Sequence, residues 1–132
     1  MHTPGSRISG ASFRTSSFAT LDFRKGVLTI QPLGPQIGER EATLISQQLH
    51  EALRETGRRL RGFVFDLTHV HSMSGMGLGM CIDAYKTAEA LGARTAVVGL
   101  SPQIEDLFRM MKVTRLCTIA RTRSELSRLL AA

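Results

Sequence analysis

The chain has 132 residues and a formal net charge of +6, with 42% hydrophobic and only 5% aromatic residues. That length suits one compact domain with a self-sufficient core, and no apolar run approaches the roughly 20 residues that cross a bilayer. The basic balance raises the question of polyanion binding, but nucleic-acid modules also need a reading helix, a stacking platform or a glycine-rich clamp. No such feature occurs, so no nucleic-acid partner is expected.

Residues 1–17 are rich in Ser, Gly, Thr and Arg without any period, and read as a flexible tail ahead of a domain spanning 18–132. The first residues, Met1 to Arg7, lack the apolar core and cleavage pattern of a secretory signal, so a cytoplasmic protein is expected. The runs Phe18–Phe23 and Val27–Ile30 flank Arg24-Lys25-Gly26, a turn composition that predicts a hairpin, placed at the edge of the sheet. Pro32-Leu33-Gly34-Pro35 then breaks the pattern. A helix is predicted from Glu39 to Thr56, with Ala42, Leu44, Ile45, Leu49, Ala52 and Leu53 as its apolar face and Gly57 as its stop.

A buried strand follows at Gly62–Asp66. Leu78, Cys81, Ile82, Tyr85, Ala88 and Leu91 then recur at spacings of three and four, which predicts a helix ending at Gly92 with Asp83, Lys86 and Glu89 facing away. Thr95–Leu100 reads as a further buried strand. Ser101-Pro102 has the composition of a helix start, with Ser as N-cap and Pro at the first helical position, and Glu105-Asp106 complement the helix dipole. A short strand at Leu116–Ala120 and a last helix at Thr122–Leu130 complete the pattern; Thr122 and Glu125 have capping-box spacing. Strands alternating with helices imply an α/β fold, a mixed and mostly parallel sheet of about five strands with about four helices.

The segment Gly62 to Gly79, GFVFDLTHVHSMSGMGLG, carries the most chemistry: a buried strand runs into a serine-bearing turn and a glycine-spaced helix start. Open α/β sheets place ligand and partner sites at such strand ends. Gly75-Met76-Gly77-Leu78-Gly79 lacks the Gly-x-Gly-x-x-Gly spacing of a dinucleotide fingerprint, and no Gly-Lys-Ser/Thr of a phosphate-binding loop follows. His69 and His71 are two possible ligands without a completing Cys, Asp or Glu, so no metal site is expected. Ser74 lacks the Gly-x-Ser-x-Gly setting of a hydrolase nucleophile, and Asp66 reads as a strand-end residue that braces the turn. Cys81 and Cys117 fall in apolar stretches and read as buried thiols. Met73 and Met76 fit either partner contacts or core packing, while Met80 and Met110 read as core or semi-buried. Arg58, Arg59 and Arg61, and a later group from Arg109 to Arg128, read as solvated helix faces or contacts for an acidic protein.

In order and spacing these segments resemble the STAS domain, the family of bacterial anti-sigma-factor antagonists and of cytoplasmic tails of sulfate transporters. The family has a strand ending in Asp-Leu-Ser, then Asp-Ser-Ser/Thr-Gly-Leu-Gly opening a helix. Asp66-Leu67-Thr68 and Gly77-Leu78-Gly79 match without a gap, and Leu91 to Ile104, Leu107-Phe108 and Met111 to Leu116 continue the likeness, over about Phe18 to Leu130. The alignment places Ser74 at the family's turn aspartate, Gly75 at its phosphate-accepting serine and Met76 at its second hydroxyl, so the usual acceptor is missing. A one-residue slip would make Ser74 the phosphoacceptor and would displace the Gly77-Leu78-Gly79 match.

The resemblance implies binding rather than catalysis, with no cofactor. The expected partner is an anti-sigma factor, often itself an ATP-dependent serine kinase, whose capture frees a sigma factor for transcription. The expected contact surface is Ser72, Met73, Ser74, Gly75, Met76 and Gly77. Two other readings remain open: a phosphorylation-independent STAS scaffold in a signalling or transport complex, and a nucleotide or small-molecule sensor using the glycine turn as an anion site.

Overall fold

A computed structural model of the chain describes residues 12–131. Strand β2 (Ala19–Arg24) buries Ala19, Leu21 and Phe23 in alternation, and β3 (Val27–Pro32) buries Leu28, Ile30 and Pro32, the period of two that puts one sheet face on a core. The two pair antiparallel through the turn at Lys25-Gly26, where both residues have positive φ. Strand β1 (Ser12–Thr15) adds antiparallel to β2, with Ser12 opposite Phe23 and Thr15 opposite Thr20. The sheet continues through β3 into parallel strands β5 (Gly62–Asp66), β7 (Arg94–Val98) and β8 (Thr118–Ile119), in the order β1-β2-β3-β5-β7-β8. A miniature second sheet joins β4 (Gln36–Ile37) to β6 (Ser72–Met73), also parallel.

Four helices connect and cover these strands: α1 (Glu39–Thr56), α2 (Gly75–Ala90), α3 (Pro102–Met110) and α4 (Arg123–Ala131). Helices α1 and α2 pack side by side. From α2, Tyr85 meets Phe63 and Phe65 of β5 edge to face at 5.8 and 5.3 Å, and its hydroxyl donates to the Ala96 carbonyl at 3.1 Å. Because strand side chains alternate, Val64 and Gly62 face the other way, where Leu130 of α4 fills the space over Gly62. Strand β5 is thus covered on both faces, which is why it reads as an unbroken apolar run.

The α/β fold and the four helices agree with the sequence reading. Predicted start and stop signals hold: Gly57 ends α1 with φ +51°, and Ser101 caps α3 ahead of Pro102. Five of the six residues of the predicted α1 face are buried, Leu44 only partly. The main sheet has six strands, one beyond the expected number, because Ser12–Thr15, inside the stretch read as a tail, is β1. The hairpin therefore lies one strand in from the edge. A four-residue run of mostly polar side chains has too few apolar positions to show a period; pairing with β2 and an ion pair from Arg14 to Glu55 of α1 at 2.8 Å hold it. Residues 1–11 of the expected tail lie outside the described residues. Strand β8 is shorter than predicted, since Leu116 closes a 3-10 turn at Val113–Arg115 with helical backbone, and pairing with β7 begins only at Thr118. Met80 is buried as read, but Met110 is 73% exposed. The short helix α3 buries Ile104 and Phe108, one turn apart, and Met110 falls off that stripe.

Candidate site at the start of helix α2

The site is built on the carboxyl end of β5. Asp66 accepts through Oδ1 from the Thr68 amide at 3.1 Å and from the Thr68 hydroxyl, and through Oδ2 from Gln31 Nε2 at 3.1 Å, the bracing role expected of it. Across the sheet Gly99, with φ +74°, lies against Thr68 so closely that a Cβ there would sit 2.3 Å from Thr68 Oγ1. Leu67 and Val70 are buried and anchor the connection. Beyond them the chain is held on the Pro-Leu-Gly-Pro segment: the amides of His71 and Ser72 both donate to the Pro35 carbonyl, at 2.7 and 3.0 Å, and Ser74 N donates to Ile37 O at 2.8 Å. The β4–β6 pairing that follows from these contacts was not legible in sequence, because two-residue strands carry no period.

Ser74 is the N-cap of α2. Its backbone is extended, and its Oγ accepts from the Gly77 amide at 3.1 Å, satisfying one of the free amides of the first turn. Gly77 is buried, and a Cβ there would lie 2.6 Å from Met73 Cγ and 3.0 Å from the Ile37 carbonyl oxygen. That glycine lets the helix approach β4. Gly75 and Gly79 are the opposite case, exposed and with no atom within 4 Å of a built Cβ.

The six residues singled out in sequence therefore divide. Ser72, Gly75 and Met76 are exposed, Met76 by 49%; Ser74 is half-buried in its capping role; Met73 packs against the core; Gly77 is a packing position. Met76 also borders a shallow groove of about 550 Å³ between α1 and α2, lined on its other wall by Thr43, Ser46 and His50. No acidic residue lies in the first turn of α2, so the positive end of its dipole faces outward without a counter-charge.

Catalytic use of the region finds no support in the geometry. Ser74 Oγ caps the helix, both oxygens of Asp66 are engaged, and neither is hydrogen-bonded to His69 or His71, which are exposed. Among the described residues no group of three His, Cys, Asp or Glu gathers in a way that could hold a metal ion. Cys81 and Cys117 are buried as read; burial pushes the Cys81 thiol far up and the Cys117 thiol up to about 11, so both stay protonated and unreactive near neutral pH.

The fold has many solved counterparts. A candidate anti-sigma factor antagonist from Thermotoga maritima is similar with a TM-score of 0.73 at 18% identity, covering 85% of this chain and 93% of that one. An anti-sigma-factor antagonist (STAS) domain protein from Planctomyces limnophilus gives 0.73 at 14% identity, over 86% and 98% of the two chains. The anti-sigma factor antagonist SpoIIAA in its unphosphorylated form gives 0.62 at 13%, over 90% and 94%. Among the described residues no helix is long and apolar enough to cross a membrane. The STAS domain profile matches residues 19–126, from β2 through the turn and α2 to the start of α4, and on that match the chain belongs to the STAS domain family.

Proposed function

We propose that this chain is a protein-binding domain of the anti-sigma-factor-antagonist type, acting in the cytoplasm on an anti-sigma factor or serine kinase to regulate transcription, and working without catalysis. Its contact surface is the turn Ser72-Met73-Ser74-Gly75-Met76-Gly77. The observation that carries the reading is an exposed Gly75-Met76 tip on a rigidly anchored helix start that bears no charge of its own. A flexible thioether beside open backbone amides suits a close-packed protein contact. SpoIIAA, similar in fold, is known in unphosphorylated and phosphorylated forms. In this chain the corresponding switch is absent. Gly75 has no hydroxyl, and the crowding around Gly77 supports the gap-free register that puts glycine at the acceptor position. A phosphate would add about −1.5 to −2 charges at this tip; without one, binding is set by partner concentration alone.

The test uses the full chain to recover its partner from the source cell, followed by incubation of the pair with ATP and mass spectrometry. A stoichiometric ATP-binding anti-sigma factor and no phosphate on residues 72–77 are expected. A stoichiometric phosphate on Ser74, abolished by Ser74→Ala, would establish the slipped register and restore the switch. Recovery of transporter subunits instead would favour the scaffold reading.

A further inference from the structure

The arginines at 58, 59 and 61 take no part in the turn before α2, and the fold gathers them with others at the far pole of the sheet. Gly26 O, in the β2–β3 turn, accepts from the amides of Arg61 at 2.7 Å and Gly62 at 3.1 Å. The Arg61 guanidinium donates to the Lys25 carbonyl at 3.1 Å, and the Arg94 amide donates to Arg61 O at 2.9 Å. The register Arg24–Val27–Gly62–Arg94 runs straight across four strands, so three interstrand spacings separate Arg24 from Arg94, about 14 Å. Arg24, Lys25, Arg58, Arg59, Arg61 and Arg94 thus share the amino end of the parallel strands, and all six are exposed. The turn before α2 follows the carboxyl end of β5, so it lies at the opposite end.

Structural tasks account for part of this cluster. Arg59 donates to Glu55 O at the end of α1 at 3.0 Å and lies over the Phe23 ring at 5.7 Å, and Arg61 pins the hairpin. Arg24 pairs with Asp22 at 3.0 Å. Those contacts do not involve the side chains of Lys25, Arg58 or Arg94. The nearby acids are few: Asp22 is used by Arg24, Glu55 by Arg14, and Glu89 stands exposed in the last turn of α2.

The three segments carry no exposed large apolar or aromatic side chain of their own, but three border this pole: Phe13 lies opposite Asp22, and Met110 and Met111 end α3 shortly before Leu116, whose carbonyl accepts from Thr95 next to Arg94. Protein interfaces rest on buried aromatic or apolar anchors, and single-stranded nucleic acid needs stacking rings. Six cations on loop tips, with apolar side chains only at their border, suit a surface that is itself flat and dense in negative charge over an apolar interior, because every tip reaches it at once. We propose that this pole is a docking surface for an anionic phospholipid bilayer, with the six cations toward the headgroup phosphates and the turn before α2 directed away into solution. This surface is independent of the partner assigned to the turn.

The test is sedimentation of the full chain with vesicles of phosphatidylglycerol and phosphatidylcholine in equal parts, against vesicles of phosphatidylcholine alone. Binding to the anionic vesicles only is expected, weakening steeply as salt rises from about 0.05 to about 0.5 M. The double variant Arg58→Glu with Arg94→Glu should lose more than about tenfold in apparent affinity, with an unchanged melting temperature. Should that variant fail to fold, Arg58→Gln with Arg94→Gln serves in its place, with a loss of about threefold or more expected. No sedimentation with anionic vesicles, or variants that bind like the parent, would overturn the proposal. So would tighter binding to a DNA duplex or to polyglutamate at equal charge concentration.

Discussion

Helices α2 and α3 begin with the same device and differ in everything around it. Ser74 accepts from the Gly77 amide at 3.1 Å, and Ser101 accepts from the Ile104 amide at 3.2 Å, so each helix has a serine N-cap bonded to its third residue. At α3 the cap is followed by Pro102, and Glu105 of the first turn is clamped by Arg121 at 2.7 Å and Arg109 at 2.7 Å. A carboxylate near the N-terminus satisfies the dipole from within the chain. At α2 the four positions after the cap hold Gly75, Met76, Gly77 and Leu78, and no acid complements the dipole. Capping secures a helix start; what is placed in the next four residues decides whether that start is closed by the protein or left for a partner.

The largest expected effect tests the packing beneath the open start. Gly77→Val should lower stability by about 3 kcal/mol, because its side chain meets Met73 and the Ile37 carbonyl; chemical denaturation measures this. An unaffected variant would mean that the helix is not held against β4. Removing either cap, Ser101→Ala or Ser74→Ala, should cost about 1 kcal/mol, and equal losses in thermal unfolding would confirm that the caps themselves are equivalent. Gly75→Ala should act in the opposite direction to Gly77→Val, stabilising by about 0.5 to 1 kcal/mol, since open space surrounds it in the first turn of a helix.

The smallest effect belongs to the closed start. Hydrogen bonds from Arg121 and then Arg109 hold the Glu105 carboxyl down to about 2 against an ordinary value of 4.5. A depressed folded pKa contributes stability that is fully present above 4.5 and is lost as the pH falls toward 2. A carboxyl resonance of Glu105 titrating near its ordinary value would show that the clamp is open in solution. Glu105→Gln should flatten the acid limb of the stability curve in that window and leave stability near neutral pH only slightly reduced.

How much was legible in the sequence follows from how far each signal reaches along the chain. Periodicity over many residues placed α1 and α2, and local composition placed Gly57, Ser101 and Pro102 at the ends they occupy. The β1 strand and the β4–β6 pair escaped because four- and two-residue strands exist through partners distant in sequence, Phe23 for Ser12 and Ile37 for Met73. At the turn, composition pointed to the right six residues but could not divide them. Met73 and Met76 look alike in sequence, yet one pairs with Ile37 in the β4–β6 sheet and packs against the core while the other borders the α1–α2 groove. Gly75 and Gly77 look alike too, and only the close approach of β4 separates a required glycine from a permitted one. Met110 was misread because α3 is too short for one apolar residue more or less to define its stripe.

The central claim is that the open start of α2 meets a protein partner, and Met76→Glu tests it most directly when affinity and folding are measured on the same preparation. Calorimetric titration against the recovered anti-sigma factor should show binding weakened by about 1 to 3 kcal/mol, from a charge placed in the contact, while the melting temperature holds or rises slightly, because Met76 is half exposed and the new carboxylate meets the open end of the α2 dipole. Unchanged affinity in a variant at least as stable as the parent would contradict the account and remove this surface from the mechanism.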